Sequence, residues 1–370
     1  MTHHLRCLTR PGVPVVWMLL ACSAPTPPRE FSTELVSKAG GFSISADPVL
    51  DVASTVGSQT LVSDVTDATR LVDGRIAVTD RFGERVVLID STGKLDRYLG
   101  RAGSGPGEFR SVEWIGLCGP GALHVWDFMA SRLSTIDTAG RPIAQRSFGT
   151  RPFVFACNRT GRLALLYAPP LSSDGDAHPT LSAGSLILGP SGDTTGSLGT
   201  VKVGSTKLLG ATAVLAMSDE WIVYGDGESE RLEIRDFTGK RLREIETGVP
   251  RRKPTEANLD AGIEARMEMV ARSDKDSIVR RLLRERIPVA DRLPAYQSAM
   301  VDEHQNIWLV TSARGDGVTE LRVLPTTDRE PATLRLAGDV KVFEVRNGFL
   351  LGRRTDSTGV PHLVVYRVGG

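Results

Sequence analysis

Short apolar runs separated by turn residues dominate this chain. In residues 71–109, Asp73-Gly74 signals a turn and residues 76–78 follow as a short strand. A second turn at Phe82-Gly83-Glu84 leads into a strand over residues 85–90. Ser91-Thr92-Gly93-Lys94 turns again before a strand over residues 95–99. Residues 100–107 hold too much Gly and Pro to continue a sheet and are expected to form a loop. Val86-Val87-Leu88-Ile89 is apolar without alternation, the pattern of a strand covered on both faces.

This module repeats. Arg85, Asp90 and Gly93-Lys94 are matched at identical offsets by Arg132, Asp137 and Gly140-Arg141, and by Arg231, Asp236 and Gly239-Lys240. A degenerate copy lies at residues 185–192, and an apolar strand precedes each copy at 76–78, 123–126, 163–167 and 221–224. Strands at 307–310 and 349–351 fit the same role, making six units. A sheet that is apolar on both faces cannot bury them alone, so the units are expected to stack radially as a β-propeller. Residues 103–109 (GSGPGEF), following a DG-strand-turn-strand unit, resemble the NHL-type six-bladed propeller repeat. The chain also resembles uncharacterised bacterial six-bladed propeller lipoproteins. The Gly-rich loop lacks the Lys-Ser/Thr of a phosphate-binding loop and opens no helix, so it reads as a crossover between blades.

The final unit spans strands at 340–345, 349–351 and 362–366 and stops without an outer strand. Residues 49–53 are expected to supply it, closing the ring and removing an exposed edge. The expected fold is therefore all-β, a six-bladed propeller closed by an N-terminal strand. Residues 254–288 interrupt it between blades four and five. There Leu259, Ile263, Met267 and Val270 make a helical stripe. Residues 273–276 break it, Ile278, Leu282 and Leu283 resume it, and Pro288 ends it.

Residues 1–21 read as a lipoprotein signal peptide: Arg6 and Arg10, a short apolar stretch, then Leu19-Leu20-Ala21-Cys22, which resembles the bacterial lipobox. Cys22 would carry the lipid, an anchor strong enough to hold the chain on a membrane. Residues 22–41 would be a Pro-rich tether, and residues 42–370 the propeller. Ser23 favours sorting to the outer membrane, facing the periplasm or the surface. Cys118 and Cys157 then remain, one repeat apart, as an expected disulfide in an oxidising compartment, with two buried free thiols as the alternative.

Charge narrows the partners. The chain has 45 basic and 44 acidic residues, and loss of the signal removes only Arg6 and Arg10, leaving a net charge of −1. Nothing here favours nucleic acid. An envelope protein or a small ligand is the expected partner, with the membrane reached through the N-terminal lipid. Arg280, Arg281 and Arg284 make the helical insert locally basic and are candidate binding residues; a solvated face is the plain alternative.

Candidate chemistry is sparse. Asp80, Asp127 and Asp226 end the second strands of their units and would share one face, where Ca²⁺ or Zn²⁺ could bind; equally, each could anchor its own turn. His124, His178, His304 and His362 are scattered without metal-ligand spacing, and no GxSxG elbow is present. No cofactor is expected. A non-catalytic envelope binding protein is the first reading; a metal-dependent hydrolase, lactonase or lyase with its site at the channel mouth is the alternative.

Overall fold

A computed structural model describes residues 38–56, 59–168, 180–267 and 276–370. The signal peptide, Cys22, most of the tether, most of the loop at 169–184, Val270 and residues 273–275 lie outside the described residues.

Six antiparallel sheets form a ring. Blade 1 runs Val65–Arg70, Ile76–Asp80, Arg85–Ile89 and Leu95–Leu99, from inner to outer strand. Blade 2 comprises Val112–Leu117, Ala122–Asp127, Arg132–Asp137 and Pro142–Ser147. Blade 3 comprises Pro152–Cys157, Leu163–Tyr167, Thr180–Leu188 and Thr194–Gly196, and the long third strand also pairs with Val201–Ser205. Blade 4 comprises Val214–Met217, Ile222–Gly225, Arg231–Arg235 and Arg241–Glu246. Blade 5 comprises Ser298–Val301, Ile307–Val310, Val318–Leu324 and Ala332–Ala337. Blade 6 takes Val340–Arg346, Phe349–Thr355 and Pro361–Gly369 from the C-terminus.

Its fourth strand is Leu50–Ala53, which pairs with the chain's last strand in the register Leu50↔Val365 to Ala53↔His362. The seam is broader than the sequence implies. Phe42–Ile44 also pairs with the last strand, and Lys38–Ala39, within the stretch expected to be tether, pairs with Phe42–Ile44.

The apolar side chains fall into separate cores, one between each pair of neighbouring blades, with blades 6 and 1 sharing theirs across the seam. This explains the unalternated strands: Ile76–Asp80 and Ile307–Val310 are buried along their whole length because each second strand has a blade on either side. The repeated Asp-x-x-Gly is equally physical. In each copy the Asp carboxylate accepts N–H bonds from its own turn, as Asp90 does from Thr92 and Lys94, while the Gly takes a left-handed conformation, φ 89° at Gly93.

Two helices, α1 (Glu256–Met267) and α2 (Asp276–Arg286), separate the last strand of blade 4 from the first of blade 5. Ile263 and Met267 bury against Leu208 of the segment that leads into blade 4, and Leu208 bonds the backbone of Pro288 and Ala290. Asn258, fully buried, bonds the Arg314 carbonyl and Asp316 of blade 5. The insert is thereby fixed on the face where the inner strands begin, called here the upper face.

Candidate functional site: the central channel

Four of the six inner strands share a distortion. The ladder between first and second strands slips at Thr66-Asp67 in blade 1, at Glu113 in blade 2, at Phe153 in blade 3 and at Phe343 in blade 6. Each is a β-bulge, which turns a side chain away from its pleated position, and such bulges gather beside functional sites. In blade 1 the Thr79 hydroxyl fills the gap: it accepts the Asp67 N–H at 2.8 Å and donates to the Asp67 carbonyl at 2.9 Å.

The bulged residues ring a chamber of about 1,030 Å³ at the upper end of the channel. Its walls are mainly apolar. Trp114 stacks on Phe155, 4.8 Å between centroids and 17° between planes, and Trp126 lies 5.4 Å from Phe155. Val154, Leu215 and Phe343 continue the wall. Phe82, Met129 and Phe153 stand at the rim, 68%, 54% and 44% exposed. Trp126 is almost wholly buried, and its Nε1–H finds no acceptor among the described residues. A side recess of about 580 Å³ between α1 and blades 5 and 6 shares Gln297, Ser298, Lys341 and Val342 with the chamber wall. The insert therefore borders the site.

Below the chamber the channel narrows, and a second cavity of about 170 Å³ follows at the lower end. Asp67, Trp114, Phe155, Leu215, Ala299 and Phe343 line both cavities and so mark the waist, where Asp67 is the one charged group. One carboxylate oxygen accepts the Ala68 N–H at 2.9 Å and the other the Ile115 N–H at 3.3 Å. Lys341 donates to the Thr66 carbonyl at 2.6 Å, and Glu344 accepts the Thr69 hydroxyl and the Arg70 N–H. Asp67 is deeply enclosed by protein, although water in the channel can touch it. Desolvation pushes its pKa up to about 7; nearby Lys341 and the two N–H bonds oppose the shift, and Glu344 adds to it.

The residues singled out from sequence lie elsewhere. Asp80 is fully buried and accepts N–H bonds from Ser63, Asp64 and Gly83, with Arg85 at 3.2 Å. Asp127, also fully buried, accepts from Arg110, Ser111 and Ala130. Asp226 holds the Glu228 and Ser229 N–H groups. Each fastens its own turn in its own blade, and the carboxylates do not converge. Among the described residues, no group of three or more His, Cys, Asp or Glu could hold a metal ion. Burial lowers the pKa of His124 to about 4, which leaves it neutral.

On the insert, Arg280 clasps Glu264 through two bonds of 2.7 and 2.8 Å, and Arg284 clasps Asp260 and Glu256. These two cations fasten α2 to α1, while Arg281 stays exposed. Cys118 and Cys157 are joined, with Cα atoms 5.5 Å apart, at the lower ends of blades 2 and 3.

No protein family matches the chain, and no curated protein does. Solved structures do. A candidate exported protein of Bacteroides fragilis superposes with a TM-score of 0.53 at 10% identity, over 90% of this chain and 97% of that one. A member of the DUF4221 family from Bacteroides vulgatus gives 0.52 at 12% identity, over 90% and 100%. Virginiamycin B lyase from Staphylococcus aureus gives 0.45 at 9% identity, over 89% and 99%. At such identities the likeness concerns the fold alone, that of a six-bladed propeller.

Proposed function

We propose that this chain is an exported, lipid-anchored binding protein whose upper chamber takes a small, largely apolar ligand. The observation that carries this reading is the chamber itself: a concave, aromatic-walled space of about 1,030 Å³ whose exposed lining is mainly apolar. The anchor rests on Leu19-Leu20-Ala21-Cys22 and would place the propeller at the outer membrane, facing the periplasm or the surface. No described helix is long and apolar enough to cross a membrane. The lining charges support a neutral chamber: Arg81, Arg110 and Lys341 are matched by Asp67, Glu84 and Glu113. A metal-dependent hydrolase, lactonase or lyase at the same mouth would need a convergent donor set, and Asp67, Glu84 and Glu113 do not form one.

The test is a fluorescence titration with the neutral apolar probe N-phenylnaphthylamine. Binding to the wild type, weakened at least tenfold by Trp114→Ala in a protein of unchanged circular dichroism, supports the chamber. Binding that survives Trp114→Ala and Phe155→Ala alike sinks it.

A further inference from the structure

The two ends of the channel differ in electrostatic character. In the upper chamber, cations and anions balance. In the lower cavity, five carboxyl groups (Asp67, Asp219, Asp302, Glu303 and Glu344) face two guanidinium groups, Arg159 and Arg346. Arg159 is paired with Asp219, and Arg346 donates to the Leu117 carbonyl. A molecule lying along the channel thus has its apolar part in the upper chamber, among Trp126, Phe153 and Val154, and its far end in a field of negative sign. Low-dielectric walls focus such a field.

From this juxtaposition we infer that the ligand is an aromatic or aliphatic amine, its apolar body in the upper chamber and its ammonium group at the Asp67 waist. The inference rests on the chamber being a ligand site and adds the ligand's chemical class. Asp67 is the group able to meet the ammonium, because its bulge sets it where the two cavities join. Lys341 lies close enough to hold the Asp67 pKa down while its Nζ bonds the Thr66 carbonyl on the neighbouring blade, yet the charged groups lining the lower cavity still carry a net negative charge. Glu344 stands one blade away with its oxygens held by Thr69 and Arg70, and it adds negative charge without needing to move. Glu113 and Arg81 pair with each other above the waist. Trp114 and Phe155, stacked on each other, line both cavities beside Asp67.

Three probes of similar length separate the possibilities by isothermal titration calorimetry: phenylbutylamine, phenylbutanol and phenylbutyrate. The expected result is at least tenfold tighter binding of the amine than of either other probe. Asp67→Asn is expected to remove that preference while leaving the alcohol unchanged. Because an ammonium favours the ionised carboxyl, amine affinity should rise about tenfold between about pH 6 and pH 8 while alcohol affinity stays flat. This pH arm uses the wild type and stands even if Asp67→Asn fails to fold. If the three probes bind equally, or the acid binds best, the amine assignment falls and the chamber reading stands. If Asp67→Asn binds the amine as tightly as the wild type does, Asp67 is not its partner. If no probe binds, N-phenylnaphthylamine included, both readings fall.

Discussion

Phe42→Ala measures how firmly the N-terminus holds the ring. Phe42 lies on the short strand that pairs with the chain's last residues, and only 1% of it is exposed. Its ring meets Trp308 of blade 5 edge-on at 5.9 Å, and it shares a core with Ile44, Val364 and Tyr366. Truncation removes the transfer energy of a buried aromatic side chain and leaves a cavity; together these cost about 3–5 kcal/mol. The edge-on pair accounts for about 0.5–1.5 kcal/mol of that. Guanidinium denaturation followed by both circular dichroism and tryptophan fluorescence should show the midpoint fall by the matching amount. Val72→Ala, at a side chain 85% exposed, is the control and should change stability by less than about 0.5 kcal/mol. A Phe42→Ala protein as stable as that control would mean that residues 42–44 are not docked, and the seam described above would be wrong.

Other consequences follow from the same contacts. The Cys118–Cys157 link closes a loop of sequence separation 39, so replacing both cysteines with alanine should cost about 4 kcal/mol by the loop-entropy argument; two alkylatable thiols in denatured, unreduced mature protein would refute the link. At the seam His362 lies 2.6 Å from Asp51 and 3.2 Å from Asp356. Burial raises the pKa of Asp51, but Arg354 and His362 together hold it below the usual range. Bonds from Thr358 and Val360, with His362, bring Asp356 to about 2. Both are depressed acids, so their contribution is present above about pH 4 and lost as pH falls toward 2; the protection of residues 50–53 against hydrogen exchange, measured relative to the intrinsic rate at each pH, should fall over that window. Asp67 has the opposite sign: its raised pKa makes wild-type stability fall as pH climbs from about 4 to 7, by at most about 1.4 kcal/mol for each pH unit crossed, and Asp67→Asn should flatten that slope. Cys22→Ser should move the protein from the membrane to the soluble fraction of envelope extracts; unchanged fractionation would remove the lipid anchor from the account.

The ring was legible because its physics is local and repeated. An Asp-x-x-Gly turn and a strand apolar on both faces each leave a trace in a few consecutive residues, and repetition turned weak traces into a fold. The missing outer strand of the last unit was legible by subtraction, and residues 50–53 provide it. The clasp of Phe42–Ile44 was not, because its partners are more than 300 residues away and a three-residue strand has no period of its own. The chamber was hidden for a similar reason. Asp67, Trp114, Phe155, Lys341 and Glu344 come from four blades, and none carries a motif. A signal did exist: Glu113, Phe153 and Phe343 interrupt otherwise regular inner strands at equivalent places. Reading it requires knowing where each inner strand starts. The conspicuous acids Asp80, Asp127 and Asp226 drew attention because they recur, and they recur because each blade has a turn to fasten.

The most direct measurement is a crystal structure of the protein soaked with bromophenylbutylamine, with the bromine located by its anomalous scattering. The account predicts one bromine site in the upper chamber, against Trp114 and Phe155, with the amine nitrogen in hydrogen-bond reach of the Asp67 carboxylate. Bromine found only on the outer surface or against the helical insert, with the chamber holding nothing but solvent, would contradict it.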